Sequence, residues 1–135
     1  MYYAIIDSAS LKNPTILNSY EHLKVTVQFE PQSQTSKYHY IFLLQFSDNA
    51  VDKAIDDFQQ EMLYSWYSFF WNDTSLNIVF DKKRFSVSLP DGWSSDEATK
   101  AVEFGKSQGI QEEYLDYRAQ FKPYEDKLHE LIKNR

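Results

Sequence analysis

The sequence predicts an α+β fold: a mostly antiparallel sheet of four to five strands in the order β-β-α-β-β-α, with one long central helix and C-terminal helices packed on one face. Three observations carry this prediction. Apolar residues alternate with polar ones over Leu23–Phe29, and the same period of two returns in Leu76–Phe80 and Phe85–Leu89. Between these pairs of strands, Asn49–Trp71 has its apolar residues at helical spacing. From Ile110 onward, Tyr114, Tyr117, Phe121, Tyr124, Leu128 and Leu131 follow at steps of four and three, the seam of a helix lying along another surface. At 135 residues the chain is expected to form one α+β domain over 1–135, with an N-terminal arm at 1–22 and a C-terminal helical segment at 94–134.

Tyr2–Ile6 reads either as a short strand or as an arm packing its aromatics on the domain, and Asn13–His22 as a polar loop. Leu23, Val25, Val27 and Phe29 are expected on the buried face of the first strand, closed by Pro31, with a polar connection over 31–37. In the next strand Tyr38, Tyr40, Phe42, Leu44 and Phe46 share one face. Ile41 and Leu43 make much of the other face apolar, so this strand is expected to be central and to pair with the first as a hairpin. His39 is expected on the less buried side. Ser47, Asp48 and Asn49 offer N-caps for the long helix, with Asp52 favourably placed in its first turn.

A second hairpin follows Asn72-Asp73, turning through Asp81-Lys82-Lys83-Arg84, a run read as a solvated loop. Pro90-Asp91-Gly92 is a turn, Ser94 with Glu97 suggests a capping box, and a short helix ends between Gly105 and Gly109. Pro123 lacks an N–H and crowds the preceding turn, so a kink or break is expected near Lys122.

Several chemistries are disfavoured. There is no cysteine, hence no disulfide, thiolate metal site or cysteine nucleophile. His22, His39 and His129 fall in three separate elements and form no ligand motif, so no metal is expected. Gly92, Gly105 and Gly109 fit neither a dinucleotide nor a phosphate loop, and no cofactor is expected. The nucleophile-elbow pattern is missing, and no catalytic residue is assigned. The adjacent acids Asp56-Asp57, Asp96-Glu97, Glu112-Glu113 and Glu125-Asp126 read as solvated faces, whereas a buried Asp7 or Glu103 would favour catalysis. A net charge of −6 argues against nucleic acid, and the N-terminus lacks the pattern of a secretory signal or a membrane span. The expectation is a cytoplasmic protein without membrane contact, and the Asn72-Asp73-Thr74 sequon reads as chance.

The remaining signal is the surplus of aromatics on the Asn49–Trp71 helix. Val51, Ala54, Ile55, Phe58, Met62, Trp66 and Phe69 fall in one core stripe at 100° per residue, with Leu63 and Phe70 beside it. Lys53, Gln60, Tyr64, Tyr67 and Trp71 fall opposite and make the candidate interaction surface. The C-terminal seam, a second copy in a homodimer, or a protein partner could cover it. The functional expectation is thus a non-catalytic protein–protein interaction module, with a protein partner or self-association. By size and charge alone it is analogous to toxin-neutralising immunity proteins, chaperones and adaptors. The alternative is a small enzyme using carboxylates and tyrosines in a cleft between the sheet and the C-terminal helix.

Overall fold

A computed structural model describes residues 1–33 and 37–134. Within them lie strands β1 (Tyr2–Asp7), β2 (Glu21–Phe29), β3 (Tyr38–Phe46), β4 (Tyr67–Trp71), β5 (Ser75–Phe80) and β6 (Arg84–Ser88). They form one six-stranded sheet in the order β2-β3-β1-β4-β5-β6, antiparallel throughout. Helices α1 (Val51–Glu61), α2 (Asp96–Ser107) and α3 (Tyr117–Lys133) complete the α+β architecture. The two expected hairpins, β2–β3 and β5–β6, are both present. The connection expected over 31–37 lies partly outside the described residues.

The sheet exceeds the four to five expected strands for two reasons. Tyr2–Asp7 is a central strand rather than an arm, paired with β3 on one side and β4 on the other. The helix expected over Asn49–Trp71 stops at Glu61, and its last five residues are β4. Met62 turns to an extended conformation (ψ 138°) and bridges Leu11, while the Leu63 N–H donates to the Ser10 carbonyl at 2.8 Å. Ser65 then takes a left-handed conformation at φ 68°, which no helix can accommodate. Its N–H donates to Gln108 Oε1 at 3.4 Å, and its hydroxyl donates to the Gln108 carbonyl, holding the corner against the end of α2. The run of Trp, Tyr and Phe beyond it suits a pleated surface packed on both sides.

Helices pack on both faces of the sheet, so the expectation of helices on one face alone is also corrected. Ala54, Ile55 and Phe58 of α1 pack with Ala4, Ile6, Leu44, Phe70 and Val79 on one face. On the other, Ile5, Ile41, Phe69, Trp71, Ile78 and Val87 pack against Ala98 and Ala101 of α2 and Phe121 and Leu128 of α3. The polar Asn77 enters the first face at small cost because it is paired. Its Nδ2 donates to the Tyr2 hydroxyl at 3.0 Å, and its Oδ1 accepts from Ser86 Oγ at 3.1 Å.

α2 is capped by Ser95, one residue after the expected Ser94, and Ser95 Oγ accepts from the Ala98 N–H at 3.2 Å. Close packing beneath it requires Gly105, where an added Cβ would lie 2.4 Å from Leu115 Cδ2 and 2.9 Å from the Tyr117 hydroxyl. That hydroxyl is anchored by donating to the Ala101 carbonyl at 2.7 Å. α3 continues through Pro123 without the expected break. Its buried Tyr117, Phe121 and Leu128 are the seam read from the sequence.

β2 departs from its expected face. The pairing shifts between His22 and Lys24, leaving Leu23 as an extra residue in the ladder. A bulge of one residue reverses the alternation beyond it. Leu23 therefore packs with the α3 side, whereas Val25, Val27 and Phe29 emerge on the opposite face, where they are exposed.

This arrangement makes two aromatics of the former helix outer stripe unequal probes. Trp71 is 2% exposed and its ring meets Phe121 edge-on at 5.0 Å, whereas Tyr64 is 62% exposed. Trp71→Ala is expected to lower stability by about 3–5 kcal/mol, and Tyr64→Ala by no more than about 0.5 kcal/mol. Urea denaturation followed by circular dichroism measures both.

Candidate functional site

The five residues expected to form one interaction stripe do not share a surface. Lys53 and Gln60 are exposed on α1, Tyr64 lies in the connection after it, and Tyr67 and Trp71 belong to β4 on the opposite side of the sheet. Tyr67 and Trp71 are covered within the chain by the C-terminal seam. Tyr67 meets the Tyr117 ring edge-on at 5.1 Å and donates its hydroxyl hydrogen to the Tyr114 carbonyl. The physical reason for the correction is the end of helical geometry at Met62, beyond which a 100° projection no longer applies.

A cavity of about 620 Å³ opens on the α3 side of the sheet. Its floor is built by alternation: Ile5 and Asp7 of β1, His39 and Ile41 of β3, and Tyr67 and Phe69 of β4 project to the same side. Gln28 and Glu30 come from the edge, Trp66 from the corner after α1, and Ile110, Tyr114, Gln120 and Tyr124 from the C-terminal segment. The volume falls within the usual range of small-molecule sites, and aromatic walls with a few converging polar groups are their usual lining.

Within this lining Asp7 and His39, distant in sequence, form a close pair. His39 is 4% exposed, not on the less buried side as expected, and its Nδ1 lies 2.6 Å from Asp7 Oδ2. Asp7 is itself fixed, because its Oδ1 accepts from the Ala9 N–H at 2.9 Å. The carboxylate thus orients the imidazole and leaves its other nitrogen facing the cavity lining. That nitrogen, Nε2, lies 3.4 Å from Ser33 Oγ and 3.7 Å from Glu30 Oε2. His39 is also tilted against Trp66, with ring centroids 6.2 Å apart. The second carboxylate singled out from the sequence, Glu103, is exposed on α2.

The tyrosines beside this pair are held in their neutral form. Burial, and then the charges of Asp7 and Glu30, raise the pKa of Tyr124. Burial is also the leading cause for Tyr67, with Tyr117 and Tyr124 adding to it, and it accounts for the rise at Tyr117. Their hydroxyls are therefore hydrogen-bonding groups at neutral pH rather than nucleophiles. Among the described residues no cluster of His, Asp and Glu could hold a metal ion, and no helix is long and apolar enough to cross a membrane.

Comparison of the chain with known protein families, curated proteins and solved structures gives no match. The geometry of the cavity and of the surfaces around it therefore carries the functional argument.

The tyrosine environments fix the sign of an alkaline transition. Tyr20, beside Asp57 under α1, is pushed up to about 12, mainly by burial and then by Asp57. A tyrosine whose folded pKa exceeds its unfolded value of 10 contributes stability below pH 10 that is lost as pH rises towards the folded value. Stability is expected to fall from pH 10 upward, through about pH 12 for Tyr20 and beyond the ordinary tyrosine range for Tyr67. Tyrosinate absorbance at 295 nm should therefore rise in two stages, exposed rings first, the second coinciding with loss of the near-ultraviolet circular dichroism signal.

Proposed function

We propose that the domain binds a small organic ligand in the cavity between the sheet and α3. The observation that carries this reading is the Asp7–His39 pair in its wall: a buried, oriented imidazole with one nitrogen held by a carboxylate, beside Trp66, Tyr67 and Tyr124. Placing a histidine and a carboxylate in the wall of a predominantly hydrophobic layer is costly for stability alone, because an apolar pair of similar volume would pack there without desolvating a charge. A ligand that hydrogen-bonds this pair supplies a reason for its presence. The aromatic surfaces around it provide apolar burial, which contributes about 25 cal/mol per Å² of surface removed from water.

Gln120 lies on the α3 rim of the cavity, partly exposed. Gln120→Trp is expected to fill the opening while leaving the fold intact. In a fragment screen by thermal shift and ligand-observed NMR, hits should stabilise the wild type by about 2.7 kcal/mol at one hundred times Kd and lose that effect in the variant. A screen whose hits are all insensitive to Gln120→Trp, or which yields none, overturns the reading.

A second reading, contact with a protein partner or a second copy, is favoured by a different surface. Val25, Val27, Phe29, Tyr38 and Tyr40 are 43–58% exposed on the α1 side of the sheet, beyond the part that α1 covers. They lie on β3 and on the edge strand β2. An exposed apolar face next to an unpaired strand edge suits addition of a strand from another chain. Val27→Lys, which sets a charge in the middle of that face, is expected to abolish any self-association at high concentration. Sedimentation equilibrium of wild type and variant checks it, and a wild type that stays monomeric removes the second-copy form of this reading.

A further inference from the structure

The charge balance of the cavity narrows the class of ligand it takes. Its lining residues include two carboxylates, Asp7 and Glu30, and no lysine or arginine among the described residues. His39 lies between them, 2.6 Å from Asp7 and 3.7 Å from Glu30. Even with His39 doubly protonated the three groups carry a net negative charge, and with His39 neutral they carry two negative charges. The tyrosines add no positive group. A negatively charged ligand would therefore enter against repulsion in a partly dehydrated space, where charges are screened less than in bulk water.

The walls point to the same class from independent chemistry. Trp66, Tyr67, Tyr114 and Tyr124 contribute aromatic rings from four places in the fold: the corner after α1, β4, the turn before α3, and α3 itself. The face of an aromatic ring carries negative electrostatic potential, and rings grouped around a cavity attract an ammonium group with an apolar body. Asp7 and Glu30 both act on the Tyr124 hydroxyl, so the carboxylates and this aromatic wall share one electrostatic environment. Resting on the reading of the cavity as a ligand site, we propose that its ligand is a small organic cation. An amine or quaternary ammonium group would lie near Asp7 and Glu30, with its apolar part against Trp66 and Tyr124.

The test uses four probes with one aromatic body and different charge: benzylamine and benzyltrimethylammonium as cations, benzyl alcohol as the neutral member, and benzoate as the anion. Binding to the full chain is read by the NMR shift of the Trp66 indole N–H. The expected result is saturable binding of both cations, at least about tenfold tighter than benzyl alcohol and with benzoate weakest, all abolished by Gln120→Trp. Removing one carboxylate should weaken the cations by about ten- to a hundredfold, the effect of a lost charged hydrogen-bond partner. Glu30→Gln tests this at a half-exposed side chain that is safe for folding, and Asp7→Asn tests it at the partner of His39. Benzoate or benzyl alcohol binding as tightly as the cations, in a manner sensitive to Gln120→Trp, overturns the cation assignment and leaves the cavity reading standing. Binding by none of the four at millimolar concentration also overturns the cation assignment. The cavity reading falls with it only when the fragment screen yields no hit sensitive to Gln120→Trp.

Discussion

β1 has no solvent face, and that constraint shapes the rest of the molecule. Tyr3 and Ile5 enter the core beneath α2 and α3, while Tyr2, Ala4 and Ile6 enter the core beneath α1. A strand buried on both faces must be covered by two layers and must have its backbone groups paired along both edges, because an unmet N–H or C=O at such a site costs as much as a lost hydrogen bond. β3 and β4 supply the pairing. Tyr67–Trp71 therefore completes the sheet: as a helix it would leave one edge of β1 open and Phe70 without its place over Phe46 and Phe58.

The same alternation that fills the two cores also builds the cavity. Following Tyr3 and Ile5, Asp7 is the next residue of β1 on the α3 side, and His39 stands on that side of β3 in line with Ile41 and Leu43. Register brings the two side chains together, since Asp7 pairs with Ile41 across the ladder and His39 is two residues on. A one-residue slip of β1 against β3 would exchange its side chains between the two cores and carry Asp7 to the α1 side, away from His39. The Asp7–His39 contact is thus secured by the hydrophobic core rather than by its own strength. A polar pair held in place by surrounding packing is the arrangement expected of a preorganised site.

Much of this architecture could be read from residue order, and the failures have specific causes. Leu76–Phe80 and Phe85–Leu89 alternate, Tyr38–Phe46 is a short apolar run with aromatic residues on one face, and all three are bounded by polar turns, so local pattern determined them. The α3 seam was legible because Tyr117, Phe121, Tyr124 and Leu128 span several helical turns. Between Met62 and Trp71 the local pattern decides nothing. Met62, Trp66 and Phe69 satisfy the helical step while Tyr67, Phe69 and Trp71 satisfy the strand step, and the same aromatics serve both. The choice is made by β1 and β5, which lie far away in sequence. Of the candidate site, Asp7 was legible as a carboxylate whose burial would matter. His39 was not, because one histidine among aromatics gives no sign of its partner. The interaction stripe failed because it inherited the helical projection beyond Glu61.

The bulge at Leu23 links the cavity to the exposed apolar face of β2 and β3. Without the extra residue, strict alternation would carry Val25, Val27 and Phe29 to the same side as Leu23, above the cavity and facing α3. With it, Thr26 and Gln28 face that side, opposite Ile41 and His39, and Glu30 continues the row into the cavity wall. The apolar residues go to the other face, beside Tyr38 and Tyr40 and beyond the reach of α1. One inserted residue therefore gives the cavity a carboxylate and an amide where it would have had valine and phenylalanine, and it leaves an exposed apolar face on the edge of the sheet. Gln28 and Glu30 stand on the rim of the cavity, on the side of Asp7, His39 and Tyr124, which ties the irregularity of β2 to the lining of the cavity.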